Sequence, residues 1–393
     1  MIRLLRSSRE FRLLFLAHSV SRAGDAFNTV ALVVLVFQLT GSGVGVAGAV
    51  MFEVLPVLLL GPVAGLAADR LPRRRLMIGA DLFRVAMALA LVGAPDSVGA
   101  AYAVAFGLSA GAVLFNPAAG SLLPEVVGSE DVITANSAMW SAAVIGQIAL
   151  APIAGLAIAA WGVELAFLIN AATFAVSAVI LIALRAGATT ADLVVRGWRG
   201  VLAGVQAVRA DAMLTRLAIV QILASSSAGA TSGLLVVLAE RWLGVGARGF
   251  GILLAAIGVG AVAGPLLLRR FITAGDKRWL FGPFGVRAGV DLTLASVANP
   301  ILAGGALIAY GMSTSTGMVA YQSTLQTLVP DATRGRAFAF YDVLWNLARL
   351  LSLGAGGLLA DALDVRAVYV VASVLLLAAT AVGLRTPVEA APA

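Results

Sequence analysis

The stretch GPVAGLAADRLPRRR, residues 61–75, sets one acid and four arginines between two segments that are almost free of charge. A soluble chain has no reason to crowd charge at a single junction and withhold it on both sides. A membrane chain does, because a helix crossing hydrocarbon must be apolar while the short connection outside it must be polar.

Composition carries the same message outward from that junction. Hydrophobic residues make up 61% of the 393 positions and charged residues 12%, about half the roughly 25% of an ordinary globular chain. Apolar runs recur from Leu13 to the C-terminus, each long enough as a helix to cross roughly 30 Å of hydrocarbon at about 1.5 Å per residue. The expected fold class is an all-α polytopic membrane protein of twelve transmembrane helices. With Gly, Pro and charges as punctuation, the spans fall at 13–39, 44–68, 76–94, 98–123, 137–160, 164–184, 214–239, 249–270, 278–297, 300–328, 337–360 and 365–384.

Several function classes drop out. Zero cysteines exclude disulfides, thiolate metal sites and cysteine nucleophiles, and a single histidine, His18, argues against a histidine metal cage or a Ser/His/Asp triad. The longest polar connection, 185–216, is too short to form a soluble domain. The net charge of +7 reports orientation rather than nucleic-acid binding. With the N-terminus inside, the inner connections collect Arg3, Arg6, Arg9 and Arg12, then Arg70, Arg73, Arg74 and Arg75, then Arg185, Arg196, Arg199, Arg209 and Arg216; the outer ones hold Arg241, Arg248 and Arg366. That asymmetry predicts both termini in the cytoplasm.

The leader MIRLLRSSREFR imitates the basic end of a signal peptide, but the apolar pattern resumes after Asp25, so a retained first span is expected. Its arginines fall three apart, on one helical face, which predicts a segment lying on the membrane surface over residues 1–12. The domain plan is then a six-helix bundle over 13–184, a cytoplasmic linker over 185–213, a second bundle over 214–385 and a tail over 386–393. A weak repeat supports two halves. Gly61-Pro62 recurs as Gly264-Pro265, and LLPEV at 122–126 recurs as LVPDA at 328–332, at nearly the same offset. Two parallel repeats related by an axis along the membrane normal give this pattern.

GLAADRLPRRR also resembles the signature between the second and third helices of the major facilitator superfamily, Gly-x-x-x-Asp-Arg-x-Gly-Arg-Arg/Lys. Gly65, Asp69, Arg70, Arg73 and Arg74 stand at matching places, and Pro72 replaces the usual glycine. The stretches 11–42 (FRLLFLAHSVSRAGDAFNTVALVVLVFQLTGS), 73–84 (RRRLMIGADLFR) and 121–127 (SLLPEVV) look like the branch that contains macrolide exporters and the enterobactin exporter. The resemblance implies a cytoplasmic gate in which Asp69 and Arg73 latch to an acid near the start of the eleventh helix, here Asp342. Asp81 and Arg84, three apart on the next helix, are expected to neutralise one another.

Ionisable side chains at bilayer depth are functional candidates by default, since their burial is costly without a partner or water. Asp25 lies about 18 Å along the first span, and Glu53 about 13 Å from the outer end of the second, at 1.5 Å per residue. Both are candidate proton-coupling groups, because a carboxyl in an apolar cleft can load a proton on one side and release it on the other. Arg22, three residues before Asp25, offers the rival reading of a fixed ion pair. Arg349, deep in the eleventh span, is a candidate contact for an anionic group, and Arg287 with Asp291 is expected to form a structural pair on the ninth.

The resemblance places the first, fourth, seventh and tenth helices around a central cavity. On them Asn28, Asn116, Gln221, Ser225, Tyr310, Thr314 and Gln322 can hydrogen-bond a substrate or a neighbouring helix. QIALAPIAG at 147–155 resembles the fifth-helix antiporter motif, with Pro152 and Gly155 in place and the other glycines replaced. The functional expectation is a non-enzymatic secondary transporter of the plasma membrane. It exports amphipathic small molecules such as drugs, antibiotics or siderophores by alternating access, with the proton as coupling ion, no cofactor, and a monomer embedded in lipid. A lipid or lysophospholipid flippase, an importer, and a non-transporting sensor or scaffold are the alternatives.

Overall fold

A computed structural model describes residues 2–128, 131–186, 208, 212–268, 276–328 and 331–385. The expected linker 185–213 lies almost wholly outside the described residues, and the tail 386–393 lies outside them entirely. Among the described residues no strand occurs, and the twelve expected spans each correspond to a long helix. The first six are Arg9–Thr40, Gly43–Arg70, Arg73–Val92, Val98–Val127, Val132–Trp161 and Val163–Ile182. The next six begin at Ala212–Gly233 and continue with Gly246–Leu268, Lys277–Ser296, Pro300–Leu328, Asp331–Ala362 and Val365–Leu384. Seven of them contain described stretches long and apolar enough to cross a membrane on length and composition alone.

Helix ends follow from local chemistry. The fourth helix starts where the Ser97 hydroxyl accepts the Ala100 N–H at 3.1 Å. The ninth and twelfth start where Asp276 accepts from the Arg278 N–H and Asp364 from the Arg366 N–H, each carboxylate satisfying a backbone donor left over by the first turn. The fourth and fifth stop at Gly128 and Gly162, both at positive φ. The third begins directly after Pro72, which suits a position that has no N–H to satisfy.

Two boundaries differ from the sequence reading. Arg9 and Arg12 belong to the 32-residue first helix rather than to a separate leader. The preceding short helix, Ile2–Ser7, buries Leu4 in a cluster with Phe11, Leu14, Met77 and Phe115, and the Ser8 hydroxyl donates to the Val126 carbonyl at 3.2 Å. The leader thus packs on the protein itself. The seventh span, expected to run unbroken over 214–239, stops at Gly233. Leu234 leaves helical geometry, at φ −101° and ψ 13°, and the chain resumes as a short α-turn and then a π-turn over Leu238–Trp242. A helix that has lost register in this way bends at the break.

Contacts divide the chain into two compact units. The first holds Met1–Thr40 and Phe52–Arg196, and the second holds Gly41–Met51 and Gly197–Ala393. In the first unit the first helix packs on the fifth and sixth, and the third packs on the fourth and sixth. The same pattern recurs in the second unit, where the seventh helix packs on the eleventh and twelfth, and the ninth on the tenth and twelfth. This is the pseudo-symmetry that the short sequence repeat anticipates.

The second unit also pairs its eighth and tenth helices through bare backbone. A Cβ added at Gly260 would run into the Ile308 carbonyl and one at Gly311 into the Ile257 carbonyl, while one at Gly264 would sit 2.8 Å from the Met312 carbonyl. Small residues permit this approach, which replaces side-chain interdigitation in lipid. Large apolar side chains such as Leu59, Val63, Leu266 and Val374 point outward, each more than half exposed. On a soluble surface they would be a liability; against hydrocarbon they are the required outer coat.

Candidate functional site

The candidate coupling group Asp25 sits near the middle of the first helix. Its carboxylate lies 3.4 Å from the Arg22 guanidinium, and the two side chains remain 30% and 41% exposed. The rival reading of an ion pair is therefore realised, but in an open setting, so that the carboxylate is balanced without being sealed. Glu53 is half-buried on the second helix. Among the described residues no group of three or more His, Cys, Asp or Glu side chains is placed to hold a metal ion.

Next to Gly24 the first helix closes on the sixth, so that a Cβ there would overlap the Thr173 side chain and come within 2.6 Å of the Asn170 side-chain oxygen. Asn170 is fully buried, and among the described residues its side-chain amide has no hydrogen-bond partner. One turn from Thr173, the Ser177 hydroxyl donates to the Asp81 carboxylate at 2.7 Å. Asp81 also holds Arg84, three residues on, in a short ion pair with both residues fully or almost fully buried. The Arg84 guanidinium lies 4.2 Å from the Phe174 ring centroid and 5.0 Å from that of Phe115. His18 stacks on the same Phe115 ring, at 6.1 Å between centroids. The expected neutralisation of Asp81 by Arg84 is present, and the structure adds a hydroxyl and two aromatic faces that sequence spacing alone does not reveal.

The opening motif divides into two parts. Gly65 stands on the second helix, and the side chains of Asp69 and Asp342 lie outside the described residues, so the latch across to the eleventh helix is not described. Arg70 is exposed. Arg73 is buried and donates to the Ser121 carbonyl at 3.1 Å and to the Glu125 carboxylate at 3.3 Å, both on the fourth helix. Arg74 donates to the Ile182 carbonyl at 2.7 Å, where the sixth helix ends. These two arginines therefore tie the third helix to the fourth and sixth within the first unit. Glu125, the acid of the repeated LLPEV stretch, joins the site residues through this bond, which its local sequence does not signal.

The candidate cavity residues separate by burial. Asn116 and Thr314 are exposed, Gln221 and Arg349 are half-buried, and the side chain of Gln322 is outside the described residues. Asn28 is buried, and its carbonyl oxygen has no hydrogen-bond partner among the described residues. Ser225 is fully buried and donates to the Gln221 and Ile222 carbonyls of its own helix at 2.7 and 3.1 Å, the common role of a membrane serine. Tyr310 is also buried. Its hydroxyl accepts from the Arg287 guanidinium at 3.2 Å, and its ring lies 4.8 Å below that guanidinium. Asp291, one turn from Arg287, accepts from the Ser227 hydroxyl at 3.4 Å. Both members of the expected ninth-helix pair thus engage neighbouring helices, the tenth and the seventh.

These features, twelve helices in two repeated six-helix arrangements with buried polar centres, are those of a membrane transporter. A family model described as transmembrane secretion effector matches residues 5–393. The chain belongs to this family of the major facilitator superfamily. Within the superfamily it is similar to the multidrug efflux pump Tap of Mycolicibacterium fortuitum, at 28% identity over 95% of each chain. It is also similar to the uncharacterized MFS-type transporter YfiS of Bacillus subtilis (strain 168), at 26% identity over 95% of this chain and 92% of the other. In fold it resembles the crystal structure of the nucleoside transporter NupG, with a TM-score of 0.80 at 12% identity, over 96% of this chain and 100% of that one.

Proposed function

We propose that this superfamily member exports amphipathic small molecules from the cell by alternating access, driven by proton entry, with both termini in the cytoplasm. The observation that carries the coupling step is Asp25: an acid near the middle of a spanning helix, paired with Arg22 yet 30% exposed. A carboxylate balanced in this way tolerates its depth, and protonation releases Arg22 to stabilise a different arrangement. Glu53 is the second acid in the scheme, half-buried on the next helix. Asn28, Asn116, Gln221, Thr314 and Arg349 are the polar groups proposed to meet substrate. Asp69, Arg73 and Asp342 are proposed as the cytoplasmic gate. The efflux pump among the relatives supports the direction of transport.

The test is uptake of a fluorescent amphipathic cation into everted proteoliposomes under an imposed pH gradient. Asp25→Asn should abolish gradient-driven transport while leaving the folded yield unchanged, and undiminished transport would reject the assignment. Counterflow with labelled drug against labelled lyso-lipid then reads the substrate class.

A further inference from the structure

The turn between the first and second helices is built around Gly41 at φ 59°, a conformation that a side chain resists. The second helix starts at Gly43, and its own cap is in place, the Ser42 hydroxyl accepting the Gly45 N–H at 3.2 Å. A second acceptor, a carboxylate, is nonetheless brought to the same turn from 319 positions away. The carboxylate of Asp361, near the end of the eleventh helix, accepts from the Ser42 hydroxyl at 2.6 Å, the Gly43 N–H at 2.8 Å and the Val44 N–H at 2.9 Å. It also accepts from the Arg241 guanidinium at 2.9 Å. Arg241 stands on the π-turn of the interrupted seventh span and donates further to the Ala360 and Gly41 carbonyls.

One carboxylate therefore gathers four donors from three elements, at a helix start where a negative charge is favoured. The surfaces beneath it are small and closely apposed. A Cβ on Gly43 would lie 3.0 Å from that of Ala360 and 3.2 Å from the Gly357 carbonyl, and one on Gly357 would lie 2.8 Å from the Gly43 carbonyl. An ordinary helix cap needs none of this. The contact also has a particular place in the chain, because Gly41–Met51 groups with the second unit whereas the same helix from Phe52 onward groups with the first.

We propose that Asp361 is a releasable clasp, which with Arg241 holds residues 42–44 to the end of the eleventh helix and must let go for the transporter to open at this end. The proposal rests on the alternating-access reading. It assigns to Asp361 and Arg241 control of the opening equilibrium, and to neither of them any contact with substrate. The interruption of the seventh span is part of the device, since the π-turn that follows it carries Arg241.

The absence of cysteine from the chain makes the test direct. Ala47 is 1% exposed and lies against Gly357, so Ala47→Cys in the purified full-length protein reports opening through its rate of modification by a hydrophilic maleimide in detergent micelles. Adding Asp361→Asn should speed labelling about tenfold, equivalent to about 1.4 kcal/mol in the opening equilibrium, and Arg241→Met should act in the same direction. Ala171→Cys, 4% exposed on the sixth helix, should keep its slow rate in both backgrounds. Unchanged labelling at position 47 overturns the clasp. So does acceleration at 171 as well as 47, which would mean that the contact only holds the fold together. Labelling needs neither substrate nor gradient, so a failed efflux assay with accelerated labelling would reject the exporter reading and leave the clasp standing.

Discussion

Among the described residues of the first unit, the ion pair of Asp81 with Arg84 is the most deeply buried, and Asp81→Asn is the perturbation that tests what holds it. Side-chain exposure is 0% for Asp81 and 3% for Arg84, so neither solvent nor salt can screen the interaction or rescue a stranded charge. Removing one partner of such a pair leaves an uncompensated buried charge and costs about 3–5 kcal/mol. Two features bring the expectation to the lower end. The asparagine oxygen can still accept from Ser177, and the Phe115 and Phe174 rings go on holding the guanidinium, a cation–π contact worth about 2 kcal/mol when desolvated. We therefore expect a loss of about 3 kcal/mol for the single variant. The double variant Asp81→Asn with Arg84→Met removes the stranded charge and should recover about 2 kcal/mol of it. The measurement is equilibrium unfolding of the full-length protein by SDS in mixed micelles, followed by tryptophan fluorescence. If Asp81→Asn is as stable as the parent to within about 0.5 kcal/mol, or if the double variant loses the sum of the two single losses, the reasoning fails.

Two further outcomes are expected. Arg73→Met should weaken the first unit, because a single guanidinium nitrogen donates to both the Ser121 carbonyl and the Glu125 carboxylate and both bonds go with it; losing one charge-assisted hydrogen bond costs about 1.5–3 kcal/mol, less here because Glu125 is 33% exposed. Glu125→Gln should show a smaller loss in the same unfolding assay, and stability unaffected by Arg73→Met would count against the tie. At the crossing of the eighth and tenth helices, Gly311→Leu should abolish recovery of monodisperse protein, because its Cβ meets the Ile257 carbonyl; Gly282→Leu, with nothing within 4 Å of an added Cβ, should be tolerated. Equal yields of the two variants in size-exclusion chromatography would refute the close approach.

How much of this was legible beforehand depends on the distance over which each feature is decided. The twelve spans could be read because each is a local property, the length of an apolar run measured against the thickness of hydrocarbon. Even there the break at Leu234 departs from the unbroken span over 214–239, although Thr231-Ser232-Gly233 just before it is a local break signal. The pairing of Asp81 with Arg84 was legible from its spacing of three, whereas Ser177 and the two aromatic faces that complete it lie on other helices. Arg73 was recognised by its motif, but its described partner, Glu125, stands 52 positions away.

The sequence by itself determined that the chain is a twelve-helix membrane protein with repeated halves, because hydrophobicity, helix length and charge bias act residue by residue against a fixed slab of lipid. Only the tertiary structure decided which charges far apart in the chain meet: Arg73 with Glu125, and Asp361 with Arg241 and the start of the second helix. Hydrogen bonds and ion pairs act over a few ångströms. Which groups come within that reach, when dozens to hundreds of residues separate them, is settled by how the helices pack.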